Sequence, residues 1–503
     1  MSFDSVNFLV FFPIVAIAYY LIPVKTKYNI RSLWLLFASY YFYMSWNAKY
    51  AILILFSTVI TYACSVLMDN VNEKVSDEKK AILTKKIYLI TSLLINIGIL
   101  GLFKYGQFFL HNVFAVLNRL NFMANEPKLD LLLPVGISFY TFQALGYTID
   151  VYRKDIKAER NFVQYALFVS FFPQLVAGPI ERSKNLLLQL REDHYFDFEN
   201  VREGLLIMLW GFFMKLVIAD RAGTFVDTVY NDFYKFNGFY IVIGTVLFGI
   251  QIYCDFNGYT MIARGAAKIM GFNLMENFDA PFLSETVADL WKRWHVSLTS
   301  WFRDYLYIPL GGSRKGKLRK HINILIVNGI SGLWHGANWT YVCWGLSNGI
   351  FQIIGEYTLP VRKKIVNLFD LNVSSLGHRI LKILFTFGLF NVSLTFFRID
   401  SLHNWMNLMQ NMFTNNIWIL VDHRSLYECG LGRYDLEILL FAILILLVAD
   451  ICKLNKFSII KDFLYKQDTW FRWSAYIISF YFVLIFGIWG SGYENAAFLY
   501  FQF

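Results

Sequence analysis

The sequence predicts an all-α, polytopic membrane protein, and three observations carry that reading. Of 503 residues, 57% are hydrophobic and only 16% charged, where soluble chains carry roughly 25% charged residues. Apolar runs of about 20 residues recur from end to end, each able to cross about 30 Å of hydrocarbon. The cation excess, 46 Lys and Arg against 36 Asp and Glu for a net charge of +10, is scattered over the loops between runs. Lys and Arg collect in cytoplasmic loops, so this charge is a topology signal. With no separate basic domain it argues against nucleic-acid binding. The chain reads as one membrane domain, residues 1–503, with about eleven transmembrane helices plus interfacial and re-entrant ones.

The first run, Phe3 to Pro23, carries Asp4 in place of a basic leader and is followed by further runs. It is expected to be a span rather than a cleaved signal peptide. Further spans are expected to begin near residues 32, 50, 87 and 107. The loops with Lys25, Lys27 and Arg31, and with Lys74, Lys79, Lys80, Lys85 and Lys86, read as cytoplasmic, which places residue 1 outside. From Leu131 the apolar runs are interrupted by Pro134, Gly136 and Gly146, then by Pro173, Gly178 and Pro179. Broken helices at membrane depth are tolerated where they line a cavity or are buried in protein. Asp255, near an apolar run, is expected to cap or to pair with a nearby Arg. Later runs start at about Ser347, Arg379, Leu436 and Trp473, and Leu402–Tyr434 is mixed and has no assigned place. The cysteines Cys64, Cys254, Cys343, Cys429 and Cys452 form no CxxC pair, so neither a disulfide framework nor a zinc site is expected. Gly-rich phosphate loops, GxSxG elbows and HExxH motifs are absent from the sequence.

The stretch Asp289–Trp344 holds three of the eight histidines, His295, His321 and His335. His335 lies in an apolar segment, where a polar side chain needs a partner or a function. At helical spacing Asn328, Ser331, His335 and Asn338 form one stripe, and Gly329, Gly332 and Gly336 the neighbouring one. Small residues let another helix backbone approach closely. Taken alone, the stripe fits either a cavity-facing functional histidine or one bonded to a neighbouring helix. Upstream, Trp291, His295, Leu298, Phe302 and Tyr305 share a face, with cations and further aromatic rings around them. That composition predicts a helix lying in the membrane interface, with His295 as a structural or a functional residue. The run Arg314, Lys315, Lys317, Arg319, Lys320 reads as a cytoplasmic loop suited to anionic lipid.

The segments WKRWHVSLTSWFRDYLYIPLGG and SGLWHGANWT resemble the signature of the membrane-bound O-acyltransferase family, in its bacterial branch acting on alginate, peptidoglycan and teichoic acid. YCDFNGYTMIARG, the Pro- and Gly-broken segments and the ending FLYFQF resemble that branch too, although Met261 stands at an often acidic position. The resemblance implies a ring of helices around a thinned centre, with a cytoplasmic funnel leading to the histidine. It implies His335 as the catalytic residue and His295 as the second functional histidine. The activity implied is transfer of an acyl group, acetyl from acetyl-CoA, toward hydroxyls of an extracytoplasmic polysaccharide such as alginate, peptidoglycan or cellulose. Acetyl-CoA would be a substrate, and no bound cofactor or metal is implied. An extracytoplasmic SGNH-type acyltransferase would complete delivery, and the location would be the bacterial cell membrane.

Imidazole suits the chemistry: with an ordinary pKa near 6.5 it can take the hydroxyl proton at neutral pH. Ser331 and Asn338 are candidate lining groups, Asn338 as a donor to the oxyanion. Tyr500, in the tail, is a candidate covalent relay carrying the acyl group outward, with a packed aromatic tail as the alternative. D-alanyl transfer to teichoic acid is the second reading within the family. A transporter or flippase whose histidines relay protons is the reading from another class.

Overall fold

A computed structural model describes residues 1–25, 29–74, 77–122, 125–129, 131–176, 178–414 and 423–489. Among them every regular element is helical. The internal contacts group into two units, residues 1–208 with 262–275, and residues 209–261 with 276–503.

The first unit opens with α1 (Val6–Leu21) and α2 (Ile30–Met44). After α3 (Ala51–Lys74) and α4 (Glu78–Leu100), a five-residue π segment, Gly101–Tyr105, leads into α5 (Gly106–Arg119). The expected separate spans near 87 and 107 are therefore one continuous helix of 42 residues, Glu78–Arg119. No Pro interrupts this run, and the π turn absorbs the irregularity without ending the helix. α6 (Ile137–Tyr152) starts just after Gly136, whose φ of +74° and approach to the Leu175 carbonyl leave no room for a Cβ. It passes through Gly146 unbroken. The next apolar segment divides into α7 (Phe162–Ser170) and α8 (Phe172–Leu175), and the break falls at Phe171 rather than at Pro173. Pro173 sits in the first turn of α8, where a missing N–H costs nothing. α3 packs on α4 and α6. Buried hydroxyls and amides join the helices: Ser57 Oγ donates to Asn96 Oδ1 at 2.5 Å, and Tyr165 OH to Thr61 Oγ1 at 2.7 Å. Apolar surfaces that lipid would solvate equally well gain little by associating, so such bonds supply specificity.

The chain passes between the units within α9 (Phe198–Phe212) and α11 (Phe239–Ile269), which flank α10 (Asp220–Asn231). The second unit continues with two short helices, α12 (Val287–Arg293) and α13 (Val296–Phe302), then α14 (Gly316–His335) and α15 (Trp339–Tyr357). It is completed by α16 (Leu359–Leu368), α17 (Leu376–Arg398), α18 (Leu402–Met412), α19 (Arg433–Leu454) and α20 (Thr469–Phe486). Among the described residues five helices are long and apolar enough to cross a membrane. α14 is not one of these five: it opens on a basic turn and carries His321, Asn323, Asn328, Ser331 and His335.

Candidate active site

α14 and α15 form a hairpin whose backbones touch. A Cβ on Gly332 would lie 2.1 Å from the Tyr341 carbonyl oxygen, and one on Gly345 would lie 2.1 Å from that of Asn328. The expected close approach on the glycine stripe is therefore present, with the partner being the next helix in the chain. α14 stops at His335 because Gly336 is extended, with φ −160° and ψ 152°. A Cβ there would meet the Tyr341 ring at 2.2 Å. This corrects the expected stripe in one place. Asn338 lies beyond the break and caps α15, accepting from the Thr340 N–H at 3.1 Å. Its side-chain amide donates to the Asp400 carbonyl at 2.6 Å. Asn338 thus holds the hairpin turn through these two bonds. Ser331 stays on the His335 face, one turn earlier, half-buried.

His335 is 5% exposed. Its ring is boxed edge-to-face by Trp334 at 5.0 Å, Trp344 at 5.0 Å and Phe397 of α17 at 5.2 Å. Trp291 of α12 backs Trp344 at 5.5 Å. The box holds the imidazole orientation with quadrupolar contacts.

The expected single interfacial helix around His295 is in fact two. His295 sits between α12 and α13 in the left-handed region, φ 44° and ψ 53°, and is 1% exposed. His is among the few non-Gly types that visit this region, at a cost. Asn277 sustains the turn: its carbonyl accepts the Val296 N–H at 2.9 Å, and its Oδ1 accepts the Ser297 N–H at 3.3 Å and hydroxyl at 2.5 Å. The imidazole lies edge-on to Phe256 of α11 at 4.7 Å and meets Trp334 at 6.0 Å. Burial pushes its pKa far below the usual histidine value, which favours the uncharged ring. Trp334 therefore touches both histidine rings, and residues 40 positions apart share one aromatic cluster.

Sequence reasoning overlooked Lys215. It is 2% exposed and lies in a π segment, Phe213–Ala219, where i and i+5 align. It pairs with Asp220 at 2.8 Å and with Asp255 at 2.7 Å. The partner expected for Asp255 is therefore this lysine rather than an arginine. A lone cation five residues before an acid inside an apolar run was the available signal. Phe256, which touches His295, is the residue after Asp255. His321 serves structure: Tyr357 OH lies 3.3 Å from its Nδ1 and Glu356 3.4 Å from its Nε2, tying the start of α14 to the end of α15. The expected basic loop ends at Lys315: Lys317, Arg319 and Lys320 belong to the start of α14, where Lys320 joins Glu356 at 2.5 Å, while Arg314, Lys315, Lys317 and Arg319 are exposed. Tyr500 lies outside the described residues.

The family model for MBOAT, membrane-bound O-acyltransferase, matches residues 40–397, a range that includes both histidines and most of the supporting groups. The chain belongs to the membrane-bound O-acyltransferase family. It is 34% identical over 438 residues to the protein named Probable alginate O-acetylase AlgI of Pseudomonas putida, covering 86% of this chain and 84% of that one. It is 32% identical over 430 residues to the Peptidoglycan O-acetyltransferase of Helicobacter pylori, covering 80% of this chain and 77% of that one. A Teichoic acid D-alanyltransferase of Streptococcus thermophilus is 32% identical over 281 residues, 51% of this chain and 66% of that one. The protein is a multi-pass membrane acyltransferase. Among the described residues no group of His, Cys, Asp and Glu has the arrangement to hold a metal ion.

Proposed function

We propose that this membrane-bound O-acyltransferase moves an acetyl group from cytoplasmic acetyl-CoA toward hydroxyls of an extracytoplasmic polysaccharide. The whole chain acts as one functional domain in a bacterial cell membrane, with an extracytoplasmic SGNH-type partner completing delivery. His335 is the base. It takes the proton of the attacking hydroxyl as the new O–C bond forms; the C–S bond breaks, and the proton leaves with the CoA thiolate. His295, whose uncharged form burial favours, is a supporting residue in the same cluster. The observation that carries this reading is Trp334, one indole in contact with both imidazoles. Tyr500 is proposed as the first acceptor, its phenol attacking the thioester and passing the acyl group on.

Acetyl is favoured over D-alanyl because the two O-acetylating relatives match 86% and 80% of this chain, against 51% for the D-alanyltransferase. The test is transfer from labelled acetyl-CoA in membranes carrying wild type or His335→Ala. Loss of transfer at unchanged membrane level is expected. Transfer at the wild-type rate by the variant would remove His335 from the mechanism.

A further inference from the structure

The first loop cations were read as a topology signal, and for one of them the structure gives a different account. Arg31, in the first turn of α2, is only 8% exposed. Its Nε donates to the Ile22 carbonyl at 2.8 Å, Nη1 donates to the His194 carbonyl, and the guanidinium lies 4.9 Å from the centre of the Tyr19 ring. These partners are neutral, and among the described residues no carboxylate pairs with it. Burying a cation without a counter-charge is costly, and buried charges are generally paired.

Arg31 opens onto a small cavity of about 40 Å³ that widens to solvent at its mouth. Ser32, beside it, lines the same cavity; it is 6% exposed, and its hydroxyl has no hydrogen-bond partner among the described residues. The cavity also receives the first turn of α2, which the Asn29 side chain does not cap. A helix start of this kind favours an anion. The rim has the opposite sign: Glu192 and Asp193, just before the His194 carbonyl that Arg31 holds, line the cavity and are exposed. A buried Arg and a free hydroxyl, with two carboxylates at the rim of the same cavity, suit a group with an anionic phosphate and, one short linker away, a cation. The neighbouring surface is apolar, with Ile17 61% and Leu21 78% exposed on α1, and Ile30 44% and Leu33 41% on α2.

We propose that this cavity binds the headgroup of a membrane phospholipid of the ethanolamine class. The phosphate lies against Arg31, Ser32 and the start of α2, and the ammonium faces Asp193. The acyl chains run along the exposed faces of α1 and α2. A bare phosphate would share the anionic contacts but would gain nothing from the acidic rim.

Native mass spectrometry of the full chain, released from nanodiscs of mixed phosphatidylethanolamine, phosphatidylglycerol and phosphatidylcholine, tests this. Wild type is expected to retain one phosphatidylethanolamine in preference to the other two. Losing one hydrogen bond to a charged group should weaken retention about tenfold in Ser32→Ala and more in Arg31→Gln. Asp193→Asn should keep binding and lose the preference over phosphatidylglycerol. Should Arg31→Gln fold poorly by size exclusion, the small Ser32→Ala change and the wild-type preference decide. The proposal is overturned if wild type shows no preference for the ethanolamine lipid, if Ser32→Ala retains it as wild type does, or if millimolar inorganic phosphate displaces it.

Discussion

Replacing Gly332 with Ala tests whether the hairpin that carries His335 sets its position. The added carbon would stand 2.1 Å from the Tyr341 carbonyl oxygen and 3.2 Å from the Val342 Cα, both backbone, so no side chain can swing aside. Restoring ordinary contact requires α14 and α15 to separate by roughly 1 Å at that turn, because packed interiors do not compress. Overpacking of this kind costs about 1–3 kcal/mol. Gly332 lies three residues before His335, so the separation also displaces the imidazole within its box of Trp334, Trp344 and Phe397. A misplacement of about 1 Å can cost about 100-fold in rate. The control is Gly388→Ala in α17, whose added carbon meets nothing within 4 Å; helix propensity there favours Ala by about 1 kcal/mol. The assay is initial rate of transfer from labelled acetyl-CoA in proteoliposomes, with thermal stability measured on the same preparations. A Gly332→Ala protein with wild-type rate and midpoint would refute the claim that hairpin contact fixes the histidine.

Three further outcomes follow from the same structure. Lys215→Met leaves the buried Asp255 and the half-buried Asp220 without this cation and should destabilise by about 3–5 kcal/mol; adding Asp255→Asn and Asp220→Asn should recover much of the loss in a detergent unfolding series, and a single variant as stable as wild type would contradict the ion triad. His295 has a folded pKa depressed by burial, so the unfolded state binds a proton more readily; its contribution to stability is complete above the unfolded value near 6.5 and is lost as pH falls below it. An acid slope between about pH 6 and 4 should therefore weaken in His295→Asn, and identical slopes would remove His295 as its source. Ser313→Cys, in the exposed basic loop, should react in intact cells only with a membrane-permeant thiol reagent; labelling by an impermeant one would invert the topology.

What could be read from the sequence follows the range of the interactions. The glycine stripe on α14 was visible because its partner helix comes next in the chain and the period alone puts Gly332 on one face. The aromatic setting of His335 was half visible: Trp334 and Trp344 are local, while Phe397 arrives from α17. The turn at His295 could not be read there, since no Gly or Pro marks it; a left-handed histidine is sustained by Asn277, eighteen residues earlier. Periodicity carried the stripe past Gly336 to Asn338 because a helical count does not register an extended glycine. Lys215 was passed over because its alignment with Asp220 appears at a π period and vanishes at 3.6. Arg31 shows the same limit from another side. Composition counts a cation in a loop as solvated, and only packing shows it enclosed.

The unbroken helix from Glu78 to Arg119 has a consequence of its own. Its 42 residues amount to a contour of about 63 Å at 1.5 Å per residue, twice the roughly 30 Å of a hydrocarbon slab. At the tilts usual for membrane helices, up to about 40°, a substantial part of this rod stands among headgroups or in water. Beyond the π turn, Gln107 and His111 bond to Glu126 at 2.6 and 3.1 Å, polar contacts suited to that exposed length. A helix that overshoots the bilayer can meet a change in thickness by burying or exposing more of its end, at small cost per ångström. Because α4 is bonded to α3 through Ser57 and Asn96 and also packs on α6, a bilayer of different thickness would be met by the overhanging end of the rod rather than by movement of its packed part.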